Sequence, residues 1–306
     1  MEGILPLFKP AGMTSHDCVF KLRKILHTKK VGHTGTLDPD VTGVLPICIG
    51  RATKVAEYVT DAGKTYEGEV TIGFSTTTED AGGDVLETVP GIKTISRQQI
   101  LSVLQQFTGE IQQTPPMYSA VKVNGKKLYE YARAGLEVER PTRTVTIQEL
   151  ILLDEREEFS GETISFRFSA ACSKGTYIRT LAVDIGEALG YPAHMSYLTR
   201  TQSAGFHAED CYTLEQVAEL AANGEAEGIL KPLEEGLKHL PEHRVDERQA
   251  AKVMNGAVLE KPESVITQPG EPFVILYKEA ALAVYKVHES KENCIKPVKV
   301  LRTTLQ

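Results

Sequence analysis

The stretch GHTGTLDPDVTGVLPICIG, Gly32 to Gly50, sets one proline-linked carboxylate among glycines and threonines before running into apolar residues. Gly32, Gly35 and Gly43 allow positive φ angles or close backbone approach. Thr34, Thr36 and Thr42 can hydrogen-bond their own backbone and hold such turns. Pro39 biases Asp38 away from the α region. A carboxylate presented from an extended, glycine-flanked segment, with Leu37 and Val44-Leu45 beside it, suits a nucleophile or general base in a partly dry cleft. Taken alone, the same Asp-Pro pair also spells a solvated Asx-turn before a strand.

Outward from this loop the chain alternates helical and strand patterns. On its N-terminal side, Thr14-Ser15 can cap a helix whose apolar positions Val19, Leu22, Ile25 and Leu26 keep helical spacing, with Lys and Arg outside. On its C-terminal side, Ala52, Val55, Ala56 and Val59 line one side of a helix that stops near Gly63. Lys64 to Phe74 then alternates as a strand with Tyr66, Gly68, Val70, Ile72 and Phe74 on one face. Ser96 with Gln99 makes a capping box for a helix burying Ile100, Val103, Leu104 and Phe107. Strand-like runs recur at Thr144 to Leu153 and Thr163 to Ala170, and a helix from about Thr176 presents Ile178, Leu181, Ala182 and Ile185 before Gly190. The fold class is α+β.

Met117 to Arg143 departs from this pattern: it is basic, carries Tyr118, Tyr129 and Tyr131, and is broken by the turn signal Asn124-Gly125. It reads as an insertion leaving the core, and basic residues interleaved with aromatics suit loop RNA, where side chains meet phosphates and stacked bases. His239-Leu240-Pro241-Glu242-His243 has a metal-like histidine spacing, but Pro241 would break the helix that spacing needs, so the segment reads as a linker. Beyond it, Asp246 to Met254 is helical, and Phe273 to Tyr277 and Ala281 to Tyr285 are short strands of a small β-rich module. Thr77 to Asp84 is acidic but fails calcium-loop spacing and reads as a solvated loop.

At 306 residues the chain exceeds one typical domain, and with 41% hydrophobic residues it can bury a sizeable core. Its five cysteines are scattered without a Cys-x-x-Cys pair, which points to reduced thiols and away from zinc. The first residues lack a basic n-region followed by a long apolar run, and no segment nears bilayer length, so the expected location is the cytoplasm. The net charge of -7 argues against a nucleic-acid partner until its distribution is read. Lys9 to Lys54 and Lys122 to Arg143 each carry a basic excess, whereas Glu209 to Glu235 holds eight acidic residues against Lys231 alone. Each basic run is also what an ordinary solvated face looks like.

Four ordered stretches carry a more specific signal: Lys9-Pro10-Ala11-Gly12-Met13-Thr14-Ser15, the Gly32 to Gly50 loop, Pro116-Met117-Tyr118-Ser119-Ala120-Val121-Lys122, and Cys172-Ser173-Lys174-Gly175-Thr176-Tyr177-Ile178-Arg179-Thr180. Together they resemble the TruB family, the bacterial synthases that make pseudouridine at position 55 in the T-loop of tRNA. The resemblance implies a pseudouridine synthase fold with a mixed, mainly antiparallel sheet, a catalytic domain over 1–240 with a thumb-like insertion at about 117–143, and a C-terminal PUA-like RNA-binding module over 244–306. It makes Asp38 the nucleophile, Arg179 the guanidinium that orients it, and Tyr66 the ring against the uracil. By periodicity alone Tyr66 is a core tyrosine. Tyr177 and Leu198 map onto positions lining the base pocket, and His33 onto the position that fills the gap left by the extruded base. Lys9 and the basic helix near Ser15 are candidates for contact with the RNA backbone.

The partner so implied is tRNA, at its T-loop and elbow, with no membrane and no obligate protein partner. The isomerisation has no redox change and no energy source, so the expectation is no cofactor and no metal. Asp40 and Val41 depart from the family pattern by placing a second carboxylate beside Asp38. Three other readings stay open: a glycoside hydrolase using Asp38 with Asp40 or Asp80, a non-catalytic tRNA-binding or RNA-folding protein, and a guide-RNA-dependent pseudouridine synthase. The hydrolase reading lacks a tryptophan platform and leaves Tyr66 and Arg179 idle.

Overall fold

The computed structural model describes residues 1–263, 265 and 270–304, so part of the 244–306 segment lies outside the described residues. The chain divides into two compact units, one of residues 1–40, 44–62 and 204–306, the other of 41–43 and 63–203.

In the first unit, the strand Gly3–Lys9 pairs with Thr42–Ile49, which pairs in turn with Val31–His33, antiparallel, so that Gly32 faces Cys48 and His33 faces Ile47. Thr14 caps the helix Ser15–Ile25 through a capping box with Asp17, and Cys18, Val19 and Leu22 turn inward. The helix expected around Ala52 is split into a 3-10 segment, Gly50–Val55, and an α-helix, Ala56–Asp61. The Thr53 hydroxyl donates to the Gly50 carbonyl at 2.8 Å, a local bond that competes with regular α-helical pairing. Ile4, Val44, Val55 and Val59 share one buried cluster with Val274 and Leu276, so sequence-distant segments close a single core.

The C-terminal part of this unit is a five-stranded sheet ordered Glu242–Arg244, Phe273–Tyr277, Ala280–His288, Lys291–Val300, Leu259–Glu260. The expected linker around His239 to His243 is therefore partly a strand: Glu242–Arg244 pairs in parallel with Val274, Ile275 and Leu276. Pro241 lends itself to this by ending helical structure and favouring an extended entry. Asp246 caps the helix Glu247–Met254, which buries Ala250 and Val253.

The second unit is built on a sheet ordered Ala193–Ser203, Lys64–Ile72, Ile164–Cys172, Arg143–Leu152, Gly109–Gln113. Every pairing in that series is antiparallel. Thr42 and Gly43 add a short parallel pairing to Thr199 and Arg200, which makes the sheet mixed and mainly antiparallel. The Lys64–Ile72 strand buries Tyr66, Gly68, Val70 and Ile72, the alternation read in the sequence. It ends at Gly73, whose φ of 125° turns the chain into the short strand Phe74–Thr76. The helices Arg97–Gln106 and Ile178–Ala188 pack on strands of this sheet, and Ser96 with Gln99 forms the capping box of the first.

The insertion folds as a hairpin, Lys122–Val123 with Lys126–Lys127, followed by the helix Leu128–Arg133. Asn124 and Gly125 have φ of 51° and 83°, as a two-residue type I′ turn requires. Its base is closed by Arg140, which donates to the Pro115 carbonyl at 3.0 Å, and by the hydroxyls of Thr114 and Thr142, also 3.0 Å apart.

Candidate active site

In the first unit, the loop around Asp38 is braced on both sides. The Ser15 hydroxyl, at the start of its helix, accepts from the Leu37 amide at 2.9 Å, and Leu37 is buried beneath. On the other side the Lys9 ammonium donates to the carbonyls of Pro10, Met13 and Pro39 at 2.7, 2.6 and 2.9 Å. Lys9 is 0% exposed. Its assignment to the RNA backbone is therefore corrected: three donors spent on carbonyls inside the protein leave no ammonium for a surface phosphate. What Lys9 does is staple the Pro10 to Met13 turn to the residue after Asp38. Thr34 is buried too, with its hydroxyl donating to the Pro46 carbonyl at 2.9 Å. Asp38 itself is half-buried and Asp40 exposed, so the two carboxylates have different surroundings. The His33 ring, also half-buried, places Nδ1 3.1 Å from the Gly35 carbonyl, a contact in which that nitrogen carries the proton.

In the second unit, one face of the sheet gathers Tyr66, Leu198 and Arg200. Tyr66 stands opposite Arg200, and Gly68 opposite Leu198. The Arg200 guanidinium carbon lies 6.0 Å from the centre of the Tyr66 ring. Arg200 is completely buried, and sequence reading gave it no role. The signal available was its place in Leu198-Thr199-Arg200, two residues from Leu198 and therefore on the same face of a strand. Gly68 must stay small, because a β-carbon there would come within 2.7 Å of the Phe168 ring and 3.4 Å of Leu198.

Arg179 stands in the first turn of the helix Ile178–Ala188 and is 5% exposed. Its guanidinium donates to the carbonyl of Thr78 at 3.0 Å and to that of Tyr118 at 2.9 Å, and it lies 3.6 Å from an Asp80 carboxylate oxygen. These contacts tie together the helix, the acidic loop and the start of the insertion. They also correct the reading of Thr77 to Asp84 as a solvated loop. Asp80 accepts from the Thr78 hydroxyl at 2.5 Å and from the Gly82 amide at 3.0 Å, so its carboxylate is fixed toward Arg179. Glu79 turns inward, takes a 2.8 Å bond from the Thr180 hydroxyl, and has its carboxyl raised above the ordinary range chiefly by burial. Tyr177 is half-buried beside the same helix, with the Arg143 guanidinium carbon 6.0 Å from its ring centre.

A half-buried carboxylate on a braced loop and a tyrosine on a sheet face with an arginine opposite supply groups for nucleophilic, stacking and proton-handling roles. Among the described residues no group of three or more His, Cys, Asp or Glu is placed to hold a metal ion. No helix there is long and apolar enough to cross a membrane.

Residues 23–178 match the TruB family pseudouridylate synthase N-terminal domain, and residues 179–238 match the tRNA pseudouridylate synthase B C-terminal domain. The tRNA pseudouridine synthase B of Geobacillus thermodenitrificans is 58% identical over 302 residues, covering 99% of this chain and 100% of that relative. The protein of the same description in Bacillus cereus is 59% identical over 303 residues, covering 98% of this chain and 97% of the relative. Among solved structures, one chain of a Cbf5-Nop10-Gar1 complex superposes with a TM-score of 0.77 at 29% identity, covering 98% of this chain and 85% of its own. A chain of an H/ACA RNP bound to a substrate RNA containing 2′-deoxyuridine gives 0.73 at 25% identity, covering 98% and 84%. Agreement along nearly the whole sequence, joined to a fold of the same class, places this chain in the TruB family of pseudouridylate synthases.

Proposed function

We propose that this enzyme isomerises a uridine of tRNA to pseudouridine at position 55 of the T-loop, in the cytoplasm, without a guide RNA. The observation that carries the reading is the identity of 58 to 59% with proteins named tRNA pseudouridine synthase B. The test is to incubate the purified chain with an unmodified tRNA transcript and map pseudouridine at nucleotide resolution. A single modification at position 55 on bare tRNA is expected. Modification elsewhere, or none until a guide RNA is added, would overturn it.

The reaction breaks the bond from N1 of uracil to C1′ of ribose, turns the detached base, and joins C5 to C1′. The proton on C5 leaves and N1 gains one, so atoms and charge balance without a cofactor. Asp38 enters as the carboxylate nucleophile. Arg179 supplies the guanidinium that orients it and favours its charged form. Asp80, Thr78 and Tyr118 in turn hold Arg179, which makes them positioning residues. Thr42 and Gly43 pair with Thr199 and Arg200, the strand that stands opposite Tyr66.

Tyr66 stacks on the uracil while its hydroxyl lies near enough to handle the C5 proton, and Tyr177 and Leu198 complete the base pocket. His33 fills the space the extruded base leaves in its loop. Extrusion costs about a few kcal/mol, and least where the RNA is already irregular, as in a T-loop. Backbone contacts come from the basic insertion and the outer face of the Ser15–Ile25 helix, while base contacts in the pocket specify uridine. The residues 244–306 serve as a second RNA-binding module of the PUA type.

A further inference from the structure

Gln113 is a buried amide with one use. It is the last residue of the edge strand Gly109–Gln113, 1% exposed, and 64 positions from the residue it serves. Its Oε1 accepts from the Tyr177 amide at 2.9 Å and its Nε2 donates to the Tyr177 carbonyl at 3.1 Å. Both ends of the side chain thus close on the two polar groups of one backbone residue, in the manner of a neighbouring strand.

Tyr177 needs that partner. It is the N-cap of the helix Ile178–Ala188, extended at φ -99° and ψ 107°, and no side-chain cap bond is made from its own position. Its carbonyl already takes the first helical bond, from the Leu181 amide at 3.0 Å, while its amide has no place in the helical ladder. Gln113 answers the amide and uses the second lone pair of the carbonyl. The clamp fixes the residue from which the helix, and Arg179 two positions on, take their direction.

We infer that Gln113 is a positioning residue for the isomerisation: its amide sets the backbone of Tyr177, and through it aims the Tyr177 ring and the Arg179 guanidinium at the reacting uridine. The inference rests on the reading of Tyr177 and Arg179 as site residues. It assigns to an apparently structural glutamine an effect on turnover rather than on tRNA capture. Displacing reacting groups by about 1 Å can cost about 10²-fold in rate. Gln113 carries no charge that could neutralise a phosphate, so its loss changes affinity little.

The test uses the full chain with Gln113→Ala, Gln113→Glu and, for reference, Arg179→Ala. Single-turnover rate on unmodified tRNA, tRNA affinity by filter binding, and thermal midpoint are measured. Gln113→Ala is expected to lower the rate by about 10²-fold with Kd within about threefold of wild type. Gln113→Glu keeps the shape and the acceptor, but its carboxylate opposes the Tyr177 carbonyl. Once protonated, its hydroxyl can donate there as the amide did. Its rate relative to wild type should therefore be low at about pH 8 and climb as pH falls through a carboxyl pKa that burial raises. A packing role alone gives no such climb. Wild-type rates for both variants, a pH-independent ratio for Gln113→Glu, or failure of both to fold at every pH would overturn the inference. Full activity in Arg179→Ala would instead sink the underlying site reading, so the two failures are told apart.

Discussion

Lys9 and Asp38 show what single residues disclose and what they hide. The Lys-Pro-Ala-Gly stretch marked an important lysine, yet sequence carries no direct measure of burial, so a basic side chain was assigned to phosphate when its ammonium is spent on three internal carbonyls. Arg200, Asp80 and Gln113 were illegible for a related reason: each meets a partner remote in sequence, such as Tyr177 for Gln113 at 64 positions. The loop that carries Asp38, by contrast, is legible because its constraint is local, in Pro39, Gly35 and the threonines. Asp38→Ala is expected to abolish single-turnover pseudouridylation while tRNA Kd changes by less than about threefold, the signature of a group needed only for chemistry. The exposed Asp40 should behave oppositely, with Asp40→Ala retaining most activity. The reverse outcome would move the nucleophile to Asp40.

Elements were more legible than residues, because capping and alternation are near-neighbour effects. Thr14 with Asp17, Ser96 with Gln99, and the buried face of Lys64–Ile72 all appear as their local chemistry dictates. The parallel pairing of Thr42 and Gly43 with Thr199 and Arg200 was not visible, since the residues concerned lie 157 apart. At that pairing Gly43 has φ 117°, and a β-carbon would come within 2.2 Å of the Arg200 carbonyl oxygen. Gly43→Ala should cost at least about 2 kcal/mol, strain of the size expected for a forced backbone, and urea unfolding measures it. The helix Ile178–Ala188 carries a different liability. Asp184 has its carboxyl pushed up to about 7, first by burial and then by Glu187 and Glu79. The folded state thus holds a proton that the unfolded chain has released, so stability falls as pH rises from about 4 to about 7 and is level above. Asp184→Asn should raise the thermal midpoint at about pH 8 by roughly 2–4 °C, the shift that ~1 kcal/mol produces, and leave it unchanged at about pH 4.

For the molecule as a whole, a net charge of -7 conceals a basic insertion and a basic helix, and charge placement rather than its sum decides the partner. If four phosphates are neutralised, tRNA affinity should drop by about 50- to 150-fold between 50 and 200 mM salt. Filter binding across a salt series checks this, and a flat response would remove the electrostatic assignment. The α+β class follows from alternation visible in the chain, and the mainly antiparallel sheet from the resemblance to the TruB family. The grouping of residues 204–306 with the first segment does not, because it depends on a core that Val274 and Leu276 complete for Ile4 and Val44.

That shared core orders events during synthesis. Residues 63–203 are nearly self-sufficient and can collapse while translation continues, but the opening segment must wait for its last packing partners. At ~5–20 residues per second that delay is roughly 10 to 50 s, during which Ile4 and Val44 lack Val274 and Leu276 and invite chaperones. Protease challenge of stalled ribosomes should find the middle of the protein resistant first and its beginning resistant last.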